Sequence, residues 1–258
     1  MLFSLENQNA LVVGGSGGVG RAIAEGLIES GANVIIASRN VDALQSAAKE
    51  IGEKTGKEPK FYSMDASSED SVKETLAAIV KDFGQLHILV NSQGYNKKFP
   101  AEEFDMEEFR RMMEVNVVGV MQCCKVFGAH MIEKGGGKIL NVSSVRGRIA
   151  TRAAGNCGYC SSKGAVDMLT RQLASEFGQY GITVNAIAPT LMETQMMAAT
   201  IEQRGGDAYR ASVAETHPMK KFMVPDDCVG TAVYLCSPAS DYVTGTIAYV
   251  DGGLTAVG

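Results

Sequence analysis

The chain has 258 residues, 45% of them hydrophobic and 21% charged, with a formal net charge of −5. That length supports one large core, and the balance is ordinary for a globular enzyme. The acidic surplus argues against nucleic acid or an anionic membrane surface as a partner, because neither attracts negative charge.

The N-terminal stretch MLFSLENQNA lacks the charged start and long apolar segment of a secretory signal. No apolar run approaches the ~20 residues that cross a bilayer, so the expected location is the cytoplasm. ALVVGG (10–15) predicts a first buried strand, and RAIAEGLIES a helix that stops at Gly31. NVIIAS (33–38), KFYSMD (60–65) and LHILVN (86–91) predict three more strands, separated by the helical patterns VDALQSAAKEIGEK and SVKETLAAIVKDF. A long helix is expected from about Met106 to Ile132. GKILNVSS (137–144), GITVNAIAP (181–189) and GTIAYVDGG (245–253) complete seven strands. Apolar strands alternating with helices predict an α/β fold: a single-domain, Rossmann-type doubly wound parallel sheet covered by helices on both faces. The segment 190–224 is rich in Met and polar residues and follows a strand end. It suits a lid over a site, with a surface helical hairpin as the other reading.

VVGGSGGVG (12–20) joins the first strand to the first helix. Such a loop lets backbone approach a pyrophosphate, whose charge the helix N-terminus stabilises. Gly14, Ser16, Gly17, Gly18, Val19 and Gly20 are therefore candidate cofactor contacts. Two spacings run through the same letters, Gly15-x-Gly17-x-x-Gly20 and Gly14-x-x-x-Gly18-x-Gly20. The second strand ends in Ser38, Arg39 and Asn40 instead of the acidic residue that would hold a ribose 2′-hydroxyl. A guanidinium and a hydroxyl suit a 2′-phosphate, so NADP(H) is favoured, with NAD(H) the alternative.

GNCGYCSSKG (155–164) carries two motifs at once. Cys157 and Cys160 have the spacing of a zinc or redox pair, but no second C-x-x-C exists and none of the three histidines lies at ligand spacing to a cysteine. No metal is expected. The other cysteines (Cys123, Cys124, Cys228 and Cys236) fall in or near apolar helical patterns, as small buried thiols do. Tyr159 and Lys163, one helical turn apart, share a helix face. An ammonium there would lower the tyrosine pKa and equip it for proton transfer.

With those residues in place, the chain resembles the classical short-chain dehydrogenase/reductase family along essentially its whole length. The wider glycine spacing is that family's. Asp65, followed by Ala66, stands at its adenine-side position, and Asn91-Ser-Gln-Gly94 replaces its usual N-N-A-G. Asn116 in MEVNVVG, Ser144 in NVSS (with Ser143 beside it as the alternative), Tyr159 and Lys163 match its catalytic residues, while Pro189, Leu191 and Thr194 fall where the nicotinamide is usually contacted. The resemblance implies hydride transfer between a nicotinamide and a carbinol or carbonyl carbon. Tyr159 would be the proton donor or acceptor, Ser144 would hold the substrate oxygen, Lys163 the ribose, and Asn116 a proton-relaying water. Departures are Val13 for a threonine, Ser92 and Gln93 for Asn and Ala, Thr190 for a glycine, and two extra residues between Ser144 and Tyr159.

Lys97, Lys98, Arg146, Arg148 and Arg152 lie in loops expected to border the substrate. They suggest an anionic carbonyl or alcohol such as a sugar acid or acyl-carrier thioester, against the plainer possibility of solvated surface charge. A dinucleotide-sensing protein without turnover is the competing function. Family members are usually homotetramers or homodimers, and the helix 106–132 is apolar on more than one face (Met112, Met113, Val117, Val120, Cys124, Phe127). Thiols beside Tyr159 make sensitivity to oxidation or alkylation a further expectation.

Overall fold

A computed structural model describes residues 1–151 and 155–257. Seven parallel strands form one sheet: β1 (Asn9–Val13), β2 (Asn33–Ser38), β3 (Lys60–Ser63), β4 (Ile88–Asn91), β5 (Gly137–Val142), β6 (Ile182–Pro189) and β7 (Ile247–Val250). Their order is β3-β2-β1-β4-β5-β6-β7. Every residue of β1, β4 and β6 is buried, which requires continuous apolar strands in place of alternating ones. The chain passes from β1 to β2 on one side and returns to β4 on the other, so a crevice opens at the carboxyl ends of β1 and β4.

Helices α1 (Gly18–Glu29), α2 (Val41–Thr55) and α9 (Val229–Cys236) cover one face. Helices α3 (Glu69–Phe83), α5 (Gly119–Glu133) and α6 (Cys157–Phe177) cover the other. Each face buries its own core. Ile23, Leu27, Leu44 and Ile51 meet Val12 and Ile36 on the first, while Phe127, Ile79 and Leu173 meet Leu11 and Val184 on the second. Four cysteines belong to these cores, as expected: Cys123, Cys124, Cys228 and Cys236 are buried and free. Burial pushes the thiols of Cys124, Cys228 and Cys236 up to about 12.

Three expectations shift. Predicted strands overran their carboxyl ends, since Gly14, Asp65, Ser143 and Ser144 leave the ladder there to turn into loops. The long helix is α4 (Met106–Met113), a π-helical turn (Glu114–Val118) and α5 in unbroken succession. By length and composition this stretch passes for a membrane span, contrary to the sequence reading, but 56% of its most apolar window is buried inside the protein, as in a core helix. Segment 190–224 contains two helices, α7 (Gln195–Gln203) and α8 (Asp207–Glu215), and so takes the helical-hairpin form.

Candidate active site

The glycine loop turns at the carboxyl end of β1, and sterics choose between its two spacings. Gly14 has φ +79°, and a Cβ there would stand 2.8 Å from the Gln93 nitrogen. Gly18 has φ +53°, and a Cβ on Gly20 would lie 2.4 Å from the Gly14 oxygen. A side chain is shut out at Gly14 and Gly20, and the left-handed backbone at Gly18 favours glycine, so Gly14-x-x-x-Gly18-x-Gly20 is the spacing the fold selects. Gly15 is tight for a different reason, packing against Ile36. Gly17 is the exception: nothing lies within 4 Å of its Cβ position, and it begins α1 without a side-chain cap. The first-turn N–H groups of α1, including those near Val19, thus face an open cradle suited to a phosphate.

At the neighbouring strand end, the Ser16 hydroxyl lies 3.5 Å from that of Ser38. Arg39 is exposed, and its charge helps hold the Asp65 carboxyl below the usual range, after the larger effect of the Ser67 hydroxyl bond. Asn40 is partly committed elsewhere, since its side-chain oxygen caps α2 by accepting from the Ala43 N–H at 3.0 Å. Ala66 packs beside Gly119. Asn91 is buried at the end of β4 and turns its amide into the core, where Nδ2 donates to Asn141 Oδ1 at 2.9 Å.

The Tyr–Lys helix face meets the ends of β4 and β5. Lys163 is 4% exposed and its Nζ donates to the Val142 carbonyl at 2.8 Å. Burial lowers its pKa to about 8. The position of Gly94 stands 3.9 Å, measured from its Cβ site, from both Lys163 Nζ and Asn116 Oδ1. Asn116 is fully buried in the π-helical turn, a distortion common at functional sites. Its Oδ1 accepts from the Tyr95 N–H at 2.7 Å, while Nδ2 reaches the Tyr95 carbonyl and the Ser162 hydroxyl, both at 2.9 Å. Ser162, three residues beyond Tyr159, was invisible as a partner in the sequence because nothing local signals a contact across 46 positions.

Ser144 and Ser143 separate cleanly. Ser143 Oγ is bonded to Asp167 and to the Lys163 carbonyl, which locks it behind α6. Ser144 Oγ accepts from the Arg146 N–H at 3.2 Å, donates to the Pro189 carbonyl at 3.4 Å, and interacts with the Tyr159 phenol. The expected source of phenol activation is corrected. Burial raises the Tyr159 pKa, and the influences that oppose it are Ser144 and the Arg146 charge. Lys163 Nζ sits 5.7 Å from the Tyr159 ring centre and spends a hydrogen bond on β5.

Thr194 stands over Gly18, with its methyl 3.8 Å from the Gly18 Cβ position, and Leu191 is 37% exposed at the same rim. Thr190, the departure from glycine, has a partner that sequence reading missed. Its hydroxyl lies 3.1 Å from Nε2 of His217, and both residues are buried. His217 Nδ1 donates to the Val213 carbonyl at 2.9 Å, so both ring nitrogens are engaged. Gln93 is the other surprise: neither amide atom is exposed or bonded. Such a group calls for a ligand or partner, which accords with a cofactor loop.

The expected cationic patch is thinner than the sequence suggests. Lys97 pairs with Glu108 at 2.7 Å, and Arg148 stacks 5.1 Å over Tyr249. Arg152 lies outside the described residues. Arg146 makes no ion pair among the described residues, bonding only the Ala150 carbonyl through NH1, and its charge reaches both Tyr159 and Cys160. Among the described residues no group of three or more His, Cys, Asp or Glu side chains is arranged to hold a metal.

A family described as enoyl-(acyl carrier protein) reductase matches residues 14–255. Gluconate 5-dehydrogenase of Gluconobacter oxydans is 34% identical over 254 residues, covering 98% of this chain and 97% of that protein. The crystal structure of a putative gluconate dehydrogenase from Agrobacterium tumefaciens superposes with a TM-score of 0.92 at 35% identity, covering 100% and 99% of the two chains. That of a gluconate 5-dehydrogenase from Burkholderia cenocepacia, in complex with NADP and tartrate, gives 0.91 at 31% identity over 100% and 98%. Likeness of this extent, laid over a glycine turn and a Tyr–Lys helix face at one sheet edge, makes the chain a member of the short-chain dehydrogenase/reductase family, an oxidoreductase acting on CH–OH groups.

Proposed function

We propose that this protein interconverts a hydroxyl and a ketone on a sugar acid of the gluconate type, using NADP(H). The observation that carries the reading is the meeting of Ser144, Tyr159 and Lys163 beside the glycine turn. The names of its relatives supply the substrate class.

The open cradle at Gly17 and the uncapped start of α1 fit a dinucleotide, which when bound supplies the hydride donor or acceptor. Gly14, Ser16, Gly17, Gly18, Val19 and Gly20 would hold its pyrophosphate. Ser38 and Arg39 would hold the 2′-phosphate, with Asn40 beside them. Asp65, Ala66, Asn91 and Gly94 would border the adenosine, and Pro189, Leu191 and Thr194 the nicotinamide. Lys163 would bind the ribose. Tyr159 exchanges a proton with the substrate oxygen, Ser144 holds that oxygen by a hydrogen bond, and Asn116 fixes the backbone at Tyr95 from which a water can be held. Arg146 is the cation placed to receive a carboxylate. The whole chain acts as one domain, with 190–224 as the cover of the site.

A homotetramer or homodimer built on α5 and α6 is supported by the exposed apolar side chains of Val118, Met121 and Met168. The cytoplasm suits its free thiols. The test is reduction of 5-keto-D-gluconate with NADPH, and the reverse with D-gluconate and NADP⁺. Tyr159→Phe should cut turnover by at least about 100-fold while leaving the NADPH dissociation constant nearly unchanged. Retained turnover would refute the proton-transfer role, and a clear preference for NADH would refute the reading of Arg39.

A further inference from the structure

The first turn of α6 holds two thiols that the proposed chemistry does not use. Cys157 begins the helix and is exposed, whereas Cys160 is half-buried, and both are free. Tyr159 stands between them. The remaining cysteines are buried in the cores, so this is the only pair of cysteines within reach of solvent among the described residues.

We propose that Cys157 and Cys160 form a modification site, a dithiol that closes to a disulfide on meeting a peroxide and so displaces Tyr159. The loss of activity rests on the reading of Tyr159 given above, but the closure does not.

The geometry permits closure at a cost to the helix. Residues three apart in an α-helix have Cα atoms about 5 Å apart, inside the span of a disulfide. Their Cβ atoms lie about 5–6 Å apart, whereas a disulfide brings them to about 3.8 Å. The first turn must therefore tighten by roughly 1–2 Å. Gly155 and Gly158 pack that turn closely against Phe99, Phe104 and Met112, so tightening it must shift those contacts as well. The cap residue Asn156 makes no side-chain cap bond, and Gly155 before it sits at φ +94°. The Cys160 N–H, bonded to the Asn156 carbonyl at 2.8 Å, closes the turn. Tyr159 lies inside the segment that moves, and a displacement of about 1 Å at a reacting group can cost about 100-fold in rate.

Exposure assigns the order of events. The Cys157 thiolate attacks one peroxide oxygen and the O–O bond breaks, leaving a sulfenic acid on Cys157 and, after protonation, one water. The Cys160 thiolate then attacks the Cys157 sulfur. The S–O bond breaks, the S–S bond forms, and the second oxygen leaves as water. Two thiols have lost two electrons and the peroxide has gained them. Arg146 sits close enough to Cys160 for its charge to oppose the upward push of burial on that thiol, which assists the second step. A thiol reductant reverses the process.

The experiment treats the reduced full-length enzyme with a small molar excess of hydrogen peroxide. It then follows the intact mass, the cysteine-containing peptides, NADPH-dependent reduction of 5-keto-D-gluconate, and NADPH binding by fluorescence. The expected result is a loss of 2 Da mapping to a Cys157–Cys160 crosslink, with at least a tenfold fall in turnover that dithiothreitol restores. NADPH binding should change by less than threefold. Cys157→Ser and Cys160→Ser should each keep the reduced enzyme's turnover and escape the reversible inactivation. Absence of the crosslink, or a crosslinked enzyme with most of its activity, overturns the proposal. A crosslink in an enzyme that never reduces 5-keto-D-gluconate would count against the proposed function and still support the dithiol.

Discussion

At the scale of single residues, the site is governed by burial more than by pairing. Lys163 is the clearest case: withdrawal from water brings its pKa from 10.5 to about 8, and only the Asp167 charge pushes the other way. Between those two values the unfolded chain holds a proton that the folded chain has shed. Stability contributed by this group therefore rises with pH across that window, and below it the fold bears the cost of a buried ammonium. If the ammonium holds the ribose, the NADPH dissociation constant should rise several-fold between about pH 7 and pH 9. Lys163→Met should bind weakly with no such dependence, and a flat wild-type profile would contradict the assignment. Glycines offer a second test. Gly20→Ala would drive a methyl into the Gly14 carbonyl and should lower both melting temperature and cofactor affinity. Gly17→Ala meets no neighbour, so its melting temperature should match wild type while its affinity for NADPH falls. Equal losses in both variants would show that the cradle lies elsewhere.

At the scale of elements, the proposed functional groups sit where regular structure ends. Asn116 occupies the π-helical turn between α4 and α5, Ser144 the turn after β5, and Tyr159 the first turn of α6. The periodicity of the sequence placed these elements but overran their ends, because strand propensity continues into residues that tertiary contacts bend away. Segment 190–224, the proposed cover of the site, is tied at its base by the Thr190–His217 hydrogen bond, and Glu193 binds Arg210 of α8 at 2.8 Å. Thr190→Val leaves a buried imidazole nitrogen unpaired, which should cost about 1–3 kcal/mol. Limited proteolysis should then cut within 190–224 faster than in the wild type, and unchanged cleavage would deny the tie any role in holding the cover. The sequence marked Thr190 only as an irregular residue, since its partner lies 27 positions away.

At the scale of the whole molecule, the parallel sheet brings one strand end after another to a single edge, where the proposed chemistry lies. The exposed Val118, Met121 and Met168 are the side chains that the proposed oligomer would cover. Light scattering should show a dimer or tetramer, and Met121→Lys with Met168→Glu should shift it towards monomer; a monomeric wild type would remove the interface. The amino-acid sequence by itself determined the α/β class, the seven strands, the glycine turn and the Tyr–Lys face, because these depend on local period, on backbone freedom and on residues one helical turn apart. Only the tertiary structure decided which glycine spacing is required, which serine faces the phenol, which loop cations are already spent, and that burial rather than a lysine sets the Tyr159 proton affinity. Those outcomes depend on contacts and desolvation between segments far apart in the chain, which no local pattern encodes.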